Sequence, residues 1–346
     1  MKILHTSDWH LGHTLYNYDR TVEQQAFLRQ LTRIVTEEQP DAMVVSGDIY
    51  HYSSPAAATQ KMYTDAMLNI HQACPEMTIV VTAGNHDSSS KLEIDSNLWQ
   101  HFGLNVVGNI ERTAEEVNLD KHIIEINNEK KTKGYVIAVP HVYPQNFPLL
   151  DTETPRDQRQ ARFFQALLDE VKKRNTAQLP VVLMAHLSIE GSDRSGHDES
   201  IGGIEYVPLS AMGEGYDYLA LGHIHCPQDI KGSHHHARYC GTPLPVSFDE
   251  TYPHSVSIIE LEKGAEPQIS TREIENPIPL VTLPHDPTPF EDALKLLEEY
   301  PEEKPAYLRL NVLTKGYLPP DCNEKASNAA KGKACKYCYI KTTRCL

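Results

Sequence analysis

The sequence lacks the features that would place it in a membrane, a secretory or a repeat class. None of its apolar runs approaches the roughly 20 residues that a membrane-spanning helix needs. The opening run MKILH is typical of a strand, and neither an apolar signal region nor a cleavage site follows it. No internal repeat or low-complexity tract is present. We therefore expect a cytoplasmic globular protein without a membrane contact.

A basic excess is also missing. The 47 acidic residues outnumber the 32 lysines and arginines, and the net charge is −15. Simple nucleic-acid binders normally carry the opposite balance. An acidic chain can still act on phosphates if bound divalent cations supply positive charge at the reacting group. The composition therefore argues against a plain nucleic-acid binder and leaves metal-dependent phosphate chemistry open.

The seven cysteines do not form the paired spacing of a zinc module. In a cytoplasmic chain their expected state is the free thiol. Cys335 and Cys338 form one Cys-x-x-Cys pair, which Cys322 or Cys345 could complete as a zinc knuckle. One such pair is weak evidence for a metal site, so both interpretations stay open.

Apolar strands and helical patterns alternate at the start of the chain, which has 40% apolar residues and is long enough for one large and one smaller domain. Strands are predicted at residues 2–6, 41–46 and 78–83, and helices at 21–39, 56–74 and 91–102. This alternation predicts an α/β fold with βαβ units and a parallel central sheet. Further strands are predicted to end at His186 and at Gly222, followed by hairpin strands up to residue 274.

A proline-containing linker follows near residue 275. Beyond it the pattern predicts strand, helix, strand, helix and strand at 280–283, 289–299, 306–312, 321–330 and 336–343. We expect two domains, a large one over residues 1–275 and a small α+β cap over residues 276–346.

Seven side chains with metal-ligand chemistry follow the apolar strands: Asp8, His10, Asp48, Asn85, His186, His223 and His225. In open α/β sheets, ligands bind outside the carboxyl ends of the strands, so we expect these side chains to meet. A mixture of carboxylate, imidazole and amide oxygen suits Mn, Fe or Zn. Seven ligands exceed the need of one ion, and they favour two metals about 3.5–4 Å apart that share a carboxylate.

Each of these positions also has a structural explanation when taken alone. A histidine after a strand is more often a hydrogen-bonded structural residue than a metal ligand. Asp8 or Asp87 could cap a turn or helix, and Asn85 tolerates a turn at positive φ. The coincidence of five such groups, each after an apolar strand, favours the metal site.

The series Asp-x-His, Gly-Asp, Gly-Asn-His-Asp, His and Gly-His-x-His resembles the calcineurin-like metallophosphoesterase superfamily. HTSDWHLG at 5–12, GDIY at 47–50 and YCGTPLPVSFDE at 239–250 more narrowly resemble its SbcD family of nuclease subunits. The resemblance is sharpest over about residues 1–260. It implies a metallophosphoesterase-type sandwich of βαβ sheets with helices outside, plus a small C-terminal α+β cap.

The resemblance also implies a role for each site residue. It places Asp8, His10, Asp48 and His225 on one metal and Asp48, Asn85, His186 and His223 on the other, with Asp48 bridging. Manganese is the expected ion. His86 matches a catalytic histidine that is not a ligand, and Asp87 is expected to orient it. His51 matches a histidine near the substrate in some members.

The implied activity is a two-metal DNA exonuclease and endonuclease that acts on double-strand ends and hairpins with an SbcC-type ATPase, in repair and recombination near the nucleoid. The alternative is a small-nucleotide phosphodiesterase or phosphatase of the same superfamily. A third possibility, a binding scaffold without activity, is disfavoured because every ligand position and His86 are intact.

Contacts with partners follow from the same resemblance. We expect a homodimer through the helices at 56–74 and 91–102, to which Met62, Met67, Leu68 and Ile70 could contribute if they do not pack on the sheet. The loop at residues 188–203 is a candidate DNA contact through Arg194 and His197, although it also carries four acidic residues. Family members continue into helices that bind the ATPase, and we expect this chain to lack them.

Overall fold

The computed structural model describes residues 1–112, 117–128, 131–195 and 206–344. The strands in these ranges are β1 (Lys2–Thr6), β2 (Thr14–Leu15), β3 (Tyr18–Asp19), β4 (Ala42–Ser46), β5 (Thr78–Thr82), β6 (Leu104–Val107), β7 (Ile123–Asn128), β8 (Lys131–Ala138), β9 (Val181–His186), β10 (Ser188–Ile189), β11 (Tyr206–Val207), β12 (Tyr218–Gly222), β13 (Gln228–Asp229), β14 (Ala237–Tyr239), β15 (Ser255–Glu260), β16 (Gln268–Glu273), β17 (Leu280–Thr288), β18 (Tyr307–Thr314) and β19 (Lys336–Arg344). The α-helices are α1 (Thr21–Glu38), α2 (Ala57–Ala73), α3 (Ser89–Leu92), α4 (Ser96–Trp99), α5 (Arg159–Arg174), α6 (Phe290–Glu298) and α7 (Cys322–Ala330). None of the helices in the described ranges is both long and apolar enough to span a membrane.

Two six-stranded sheets form the centre of the molecule. The first has the order β16-β15-β1-β4-β5-β6 and the second β13-β14-β12-β9-β8-β7. Four neighbouring strands in each sheet are parallel, and the remaining strands at the edges are antiparallel. The predicted parallel sheet, β1-β4-β5-β6, is therefore one side of a mixed sheet, because β15 and β16 return antiparallel beside β1.

The central strands are buried on both faces, which explains their unbroken apolar sequence. In β4, Ala42 and Val44 belong to the core between the two sheets, whereas Met43 and Val45 pack with residues of α1 and α2. In β9 of the second sheet, Val182 and Met184 likewise belong to the core between the sheets, whereas Val181 and Leu183 pack with residues of α5. The fold is thus a sandwich with helices outside, as predicted.

The segment after residue 275 forms a three-stranded parallel sheet in the order β17-β18-β19. Helices α6 and α7 cover one face of it and bury an apolar core that includes Cys322 and Cys335 as free thiols. Burial raises the pKa of both thiols. Cys345 lies outside the described residues. The strand and helix order matches the prediction, while the domain boundary itself stays a prediction.

The structure corrects one predicted helix and answers one question about a dimer surface that the sequence left open. Residues 91–102 do not form one helix, because α3 ends before Glu93, whose carboxylate turns inward to accept the backbone N–H groups of Gly108 and Asn109. The chain then continues as α4 and a short 3-10 turn. Met67 and Ile70, for which the sequence left both packing on the sheet and a dimer contact open, are buried in the core.

The predicted loop at 188–203 is only partly described. Its first residues form β10, which pairs in parallel with β11. Arg194 lies over the ring of Tyr206. His197 and the rest of the segment to residue 203 lie outside the described residues.

Candidate metal centre

All seven predicted ligands lie at one edge of the sandwich. Asp8 and His10 follow β1, Asp48 follows β4, Asn85 follows β5, His186 ends β9, and His223 and His225 follow β12. The first three strands belong to one sheet and the last two to the other. The site is therefore built where the carboxyl ends of both sheets meet.

The ligand atoms form two neighbouring groups. In the first, His10 Nε2 lies 3.2 Å from His225 Nε2, and candidate ligand atoms of both lie within 4.8 Å of an Asp8 carboxylate oxygen. In the second, Asn85 Oδ1 lies 3.0 Å from His186 Nε2 and 2.9 Å from His223 Nδ1.

Asp48 lies between the two groups. Its Oδ2 is 3.4 Å from His186 Nε2 and 3.9 Å from His10 Nε2. Its Oδ1 accepts the backbone N–H of His86 at 2.9 Å. The carboxylate is thus positioned to face both groups at once.

The backbone is strained at four of the seven predicted ligands. Asp8, His10, Asp48 and His223 have φ values of 53°, 46°, 52° and 96°, in the left-handed region that residues with a Cβ rarely adopt. Such conformations cost of order 1–3 kcal/mol each and concentrate at functional sites. The strain turns each side chain out of its strand direction and into the site.

Gly84 is required by a close approach rather than by its own torsion angles. A Cβ at this position would lie 2.1 Å from Asp48 Oδ1 and 2.3 Å from the backbone nitrogen of Asp48. The turns after β4 and β5 can therefore touch only if residue 84 has no side chain.

Burial and mutual charge set the protonation states. Burial lowers the pKa of His10 well below its ordinary value and lowers that of His51 to about 4, so both imidazoles are neutral. Burial disfavours the charged forms of Asp48 and His186, but the attraction between the carboxylate and the imidazolium outweighs this effect. The neighbouring carboxylate raises the pKa of His186 to about 9, and the imidazolium holds the pKa of Asp48 well below its usual range.

His86 projects toward the first group. Its Nδ1–H donates to the backbone carbonyl of His51 at 2.9 Å, and the two imidazoles stack with centroids 5.2 Å apart. Its ring also meets that of His10 edge to face at 4.9 Å. The cluster places the imidazoles of His51 and His86 beside the ligand groups.

The expected role of Asp87 is wrong. Its Oδ2 accepts backbone N–H groups from Gly84 at 2.9 Å and Ile49 at 3.1 Å, so it ties the two site turns together. The group that orients His86 is the carbonyl of His51. Burial also raises the pKa of Asp87 to about 6.

Glu250 is a site residue that the ligand pattern did not reveal. His225 Nδ1–H donates to its Oε1 at 2.8 Å, and its Oε2 accepts from the hydroxyl of Thr242 at 2.9 Å and the N–H of Val246 at 3.3 Å. Metal-ligating histidines commonly donate their second ring N–H to a carboxylate, which fixes the orientation of the ring. The only sequence signal was the run at 239–250, which gave no residue role.

His13 was also missed. Its ring lies 4.5 Å from that of His51, and its Nδ1 is 3.2 Å from the Arg20 guanidinium. Burial, followed by the Arg20 charge, lowers the pKa of His13 to about 2. It therefore adds a neutral polar side chain to the wall of the site.

These groups open into a cavity of about 400 Å³. Its lining residues are His10, His13, Thr14, Leu15, Tyr16, Asp48, His51, Asn85, His86, His223, His225, Val246 and Ser247. Five of the seven predicted ligands line it, and Asp8 and His186 complete a predicted set of two carboxylates, four imidazoles and one amide oxygen. This donor set fits divalent cations of intermediate softness, and its two groups exceed the need of one ion.

Comparison with known proteins agrees with this chemistry. Residues 1–227 match the family model of calcineurin-like phosphoesterases. The SbcD component of the SbcCD nuclease from Rhodobacter capsulatus is 33% identical over 309 residues, which cover 86% of this chain and 75% of the relative. The corresponding Escherichia coli K12 protein is 29% identical over 330 residues, or 92% of this chain and 79% of the relative.

Solved structures show a weaker likeness. A dimetal phosphatase from Danio rerio has a TM-score of 0.47 and 13% identity, and the match covers 80% of this chain and 97% of that structure. The family match and the SbcD relatives determine the assignment. The chain belongs to the calcineurin-like phosphoesterase family, within it to the SbcD group of nuclease components, and it is a metal-dependent phosphodiesterase.

Proposed function

We propose that this protein is a DNA nuclease that uses two divalent metal ions, manganese in the cell, to cleave phosphodiester bonds at double-strand ends and hairpins. The observation that carries the proposal is the convergence of seven ligand side chains in two groups around Asp48, with His86 beside them. The relatives named as nucleases support DNA as the substrate.

In this proposal Asp8, His10, Asp48 and His225 would hold one ion, and Asp48, Asn85, His186 and His223 would hold the other. Two bound cations would supply a water of lowered pKa and would neutralise the phosphate oxygens. Because ligands must be deprotonated, ion binding would displace the proton that His186 carries beside Asp48.

The side chains outside the two ligand groups then act on the substrate. His86 lies next to His10, where a protonated imidazole can stabilise or protonate the leaving oxygen. The His51 carbonyl fixes the His86 ring, so Nε2 is the atom that faces the substrate. The His51 imidazole, neutral through burial, stacks beside the His86 ring and can donate a hydrogen bond to the phosphate.

The proposed partners are duplex DNA, an SbcC-type ATPase and a second copy of the chain. A dimer surface is supported by Ile94 and Leu98, whose side chains are 77% and 57% exposed in the region of α3 and α4. Apolar residues exposed to this degree in one segment favour a protein contact.

The test is cleavage of linear duplex and hairpin DNA by the purified chain with Mn²⁺, alone and with the ATPase partner. We expect cleavage that depends on Mn²⁺ and an elemental content of two ions per chain. His86→Ala should keep both ions and lose most of its activity. His285→Ala, which changes a fully exposed histidine in the cap, is the matched control.

Two results would contradict the proposal. A His86→Ala protein with both ions and full nuclease activity would overturn the role of His86. Hydrolysis of bis-p-nitrophenyl phosphate without cleavage of any DNA, even with the ATPase, would favour the small-nucleotide phosphodiesterase instead.

A further inference from the structure

A tyrosine occupies an unusual backbone position at the mouth of the cavity. Leu15 and Tyr18 pair across the β2–β3 hairpin, so Tyr16 and Asn17 form a two-residue turn with φ values of 48° and 67°. Such turns favour Asn and Gly at both positions. A bulky aromatic residue at positive φ is an outlier, and outliers of this kind point to function.

The ring of Tyr16 rests on a second aromatic ring. It stacks on Tyr339 with centroids 4.7 Å apart and an angle of 23° between the planes, and Phe248 lies 6.1 Å away. Tyr339 is held in turn, because the Arg309 guanidinium donates to its hydroxyl at 3.1 Å. One face of the Tyr16 ring therefore packs on Tyr339, and the residue remains 46% exposed.

A bulge in the cap sheet supplies this support. The register of β18 and β19 shifts so that Leu308 faces Tyr337 and Arg309 faces Tyr339, which leaves Cys338 as the extra residue. Bulges re-aim side chains next to functional sites. The bulge brings Tyr339 to the face of the cap sheet that meets the hairpin.

The same ring is part of the wall of the metal cavity. Tyr16 lines it together with His10, Asn85 and His86. A ligand that places its phosphate at the metal groups therefore reaches Tyr16 without leaving the cavity. The aromatic pair continues the site rather than forming a separate surface.

The surroundings of the pair carry positive charge in an acidic chain. Arg309 lies 2.7 Å and Lys341 3.4 Å from the single carboxylate of Asp249, so two cations face one anion. The Lys341 side chain is half exposed and can also meet a phosphate. An aromatic ring beside cationic side chains is how proteins hold single-stranded nucleic acids without reading sequence.

We propose that Tyr16, supported by Tyr339, stacks on an unpaired nucleobase that adjoins the scissile phosphate. The inference rests on the proposed nuclease function and narrows its substrate to a strand with an unstacked base at that position. A free base face is needed, because a base inside a duplex has both faces covered. Frayed ends, overhangs and hairpin loops supply such a base.

The test compares intact oligonucleotides with oligonucleotides that lack one base. An abasic residue is moved one position at a time along a partly single-stranded DNA, and KM and kcat for cleavage are measured with Mn²⁺. For the wild type we expect KM to rise about 5- to 150-fold at one position next to the cleaved bond, the range for one base stacked on one ring. The other positions should change KM little.

Variants of Tyr16 separate stacking from hairpin stability. Tyr16→Phe keeps the ring and should keep the rise in KM at the same abasic position. Tyr16→Asn suits the positive φ but removes the ring, so its KM on intact DNA should rise and should no longer respond to the abasic residue. Tyr317→Ala, which changes a cap tyrosine that is 99% exposed, is the matched control. If the abasic residue raised KM equally in Tyr16→Asn and in the wild type, the proposed stacking of a base on Tyr16 would be refuted.

Photocrosslinking gives a readout that does not depend on cleavage. 5-Iodouracil at the sensitive position should crosslink to the peptide that contains Tyr16, and this product should be absent from Tyr16→Asn. A crosslink to another peptide alone would refute the inference. If the wild type cleaves no DNA, the nuclease proposal fails, and 5-iodouracil placed at each position of the same oligonucleotide in turn still decides whether Tyr16 holds a base.

Discussion

Replacing Glu250 with glutamine removes a charge from the side chain that holds His225 in place while keeping its volume. The carboxylate is fully buried and accepts three hydrogen bonds, from His225, Thr242 and the N–H of Val246. A glutamine offers one oxygen. If that oxygen faces His225, the amide N–H₂ faces the N–H of Val246, and one donor loses its acceptor.

Two magnitudes follow from this arrangement. A buried donor without an acceptor lowers the free energy of unfolding by about 1–3 kcal/mol. Loss of the carboxylate behind a ligating histidine weakens metal binding about 10- to 100-fold, or about 1.4–2.8 kcal/mol of binding free energy. Among the proposed ligands Glu250 contacts His225, so only the ion held by His225 should be affected.

Calorimetric titration of the metal-free protein with Mn²⁺ measures both sites. For Glu250→Gln we expect one dissociation constant to rise about 10- to 100-fold and the other to stay within about twofold of the wild type. Glu260→Gln changes an exposed carboxylate on β15 and serves as the control. Unchanged affinity at both sites would refute the reasoning, and so would an equal loss at both.

Two further predictions concern the turns and the pH response. Gly84→Ala should abolish Mn²⁺ binding at Asp48, because the added Cβ would overlap the carboxylate; titration checks this, and wild-type binding would contradict it. Burial lowers the pKa of His122 to about 4, and its ring donates to the Ala138 carbonyl. As the pH falls, the unfolded chain protonates His122 near pH 6.5, whereas the folded chain does so only near pH 4. The contribution of His122 to the free energy of unfolding is therefore full above about pH 6.5 and falls by about 3 kcal/mol as the pH drops toward 4. Urea unfolding across this range should show a smaller loss for His122→Asn, and an identical pH profile would refute the assignment.

Much of the strand framework could be predicted because its central strands are buried on both faces. Residues 42–45 and 79–81 read as unbroken apolar runs, and such runs mark a strand without knowledge of its neighbours. The elements after residue 275 were predicted for a related reason, since α6 repeats its buried residues at helical spacing. The segment 91–102 failed because its break depends on Glu93 reaching a distant turn.

The ligand set followed from residue types that directly succeed each strand, and all seven side chains converge at one edge. The roles of their neighbours did not follow. Asp87 is next to His86 in the chain, which suggested a pair, yet its carboxylate points to backbone amides of two turns. Adjacent residues on a tight turn point in different directions, so chain proximity was a poor guide.

By itself the sequence determined where the strands end and which side chains with metal-binding chemistry follow them, because these are local properties. Only the tertiary structure decided that two sheets share the site, that Glu250 supports His225, that the His51 carbonyl orients His86, and that Tyr16 rests on a ring from the cap. Each of these contacts joins segments far apart in the chain. Their partners are set by sheet order and packing, which leave no periodic signal in the sequence.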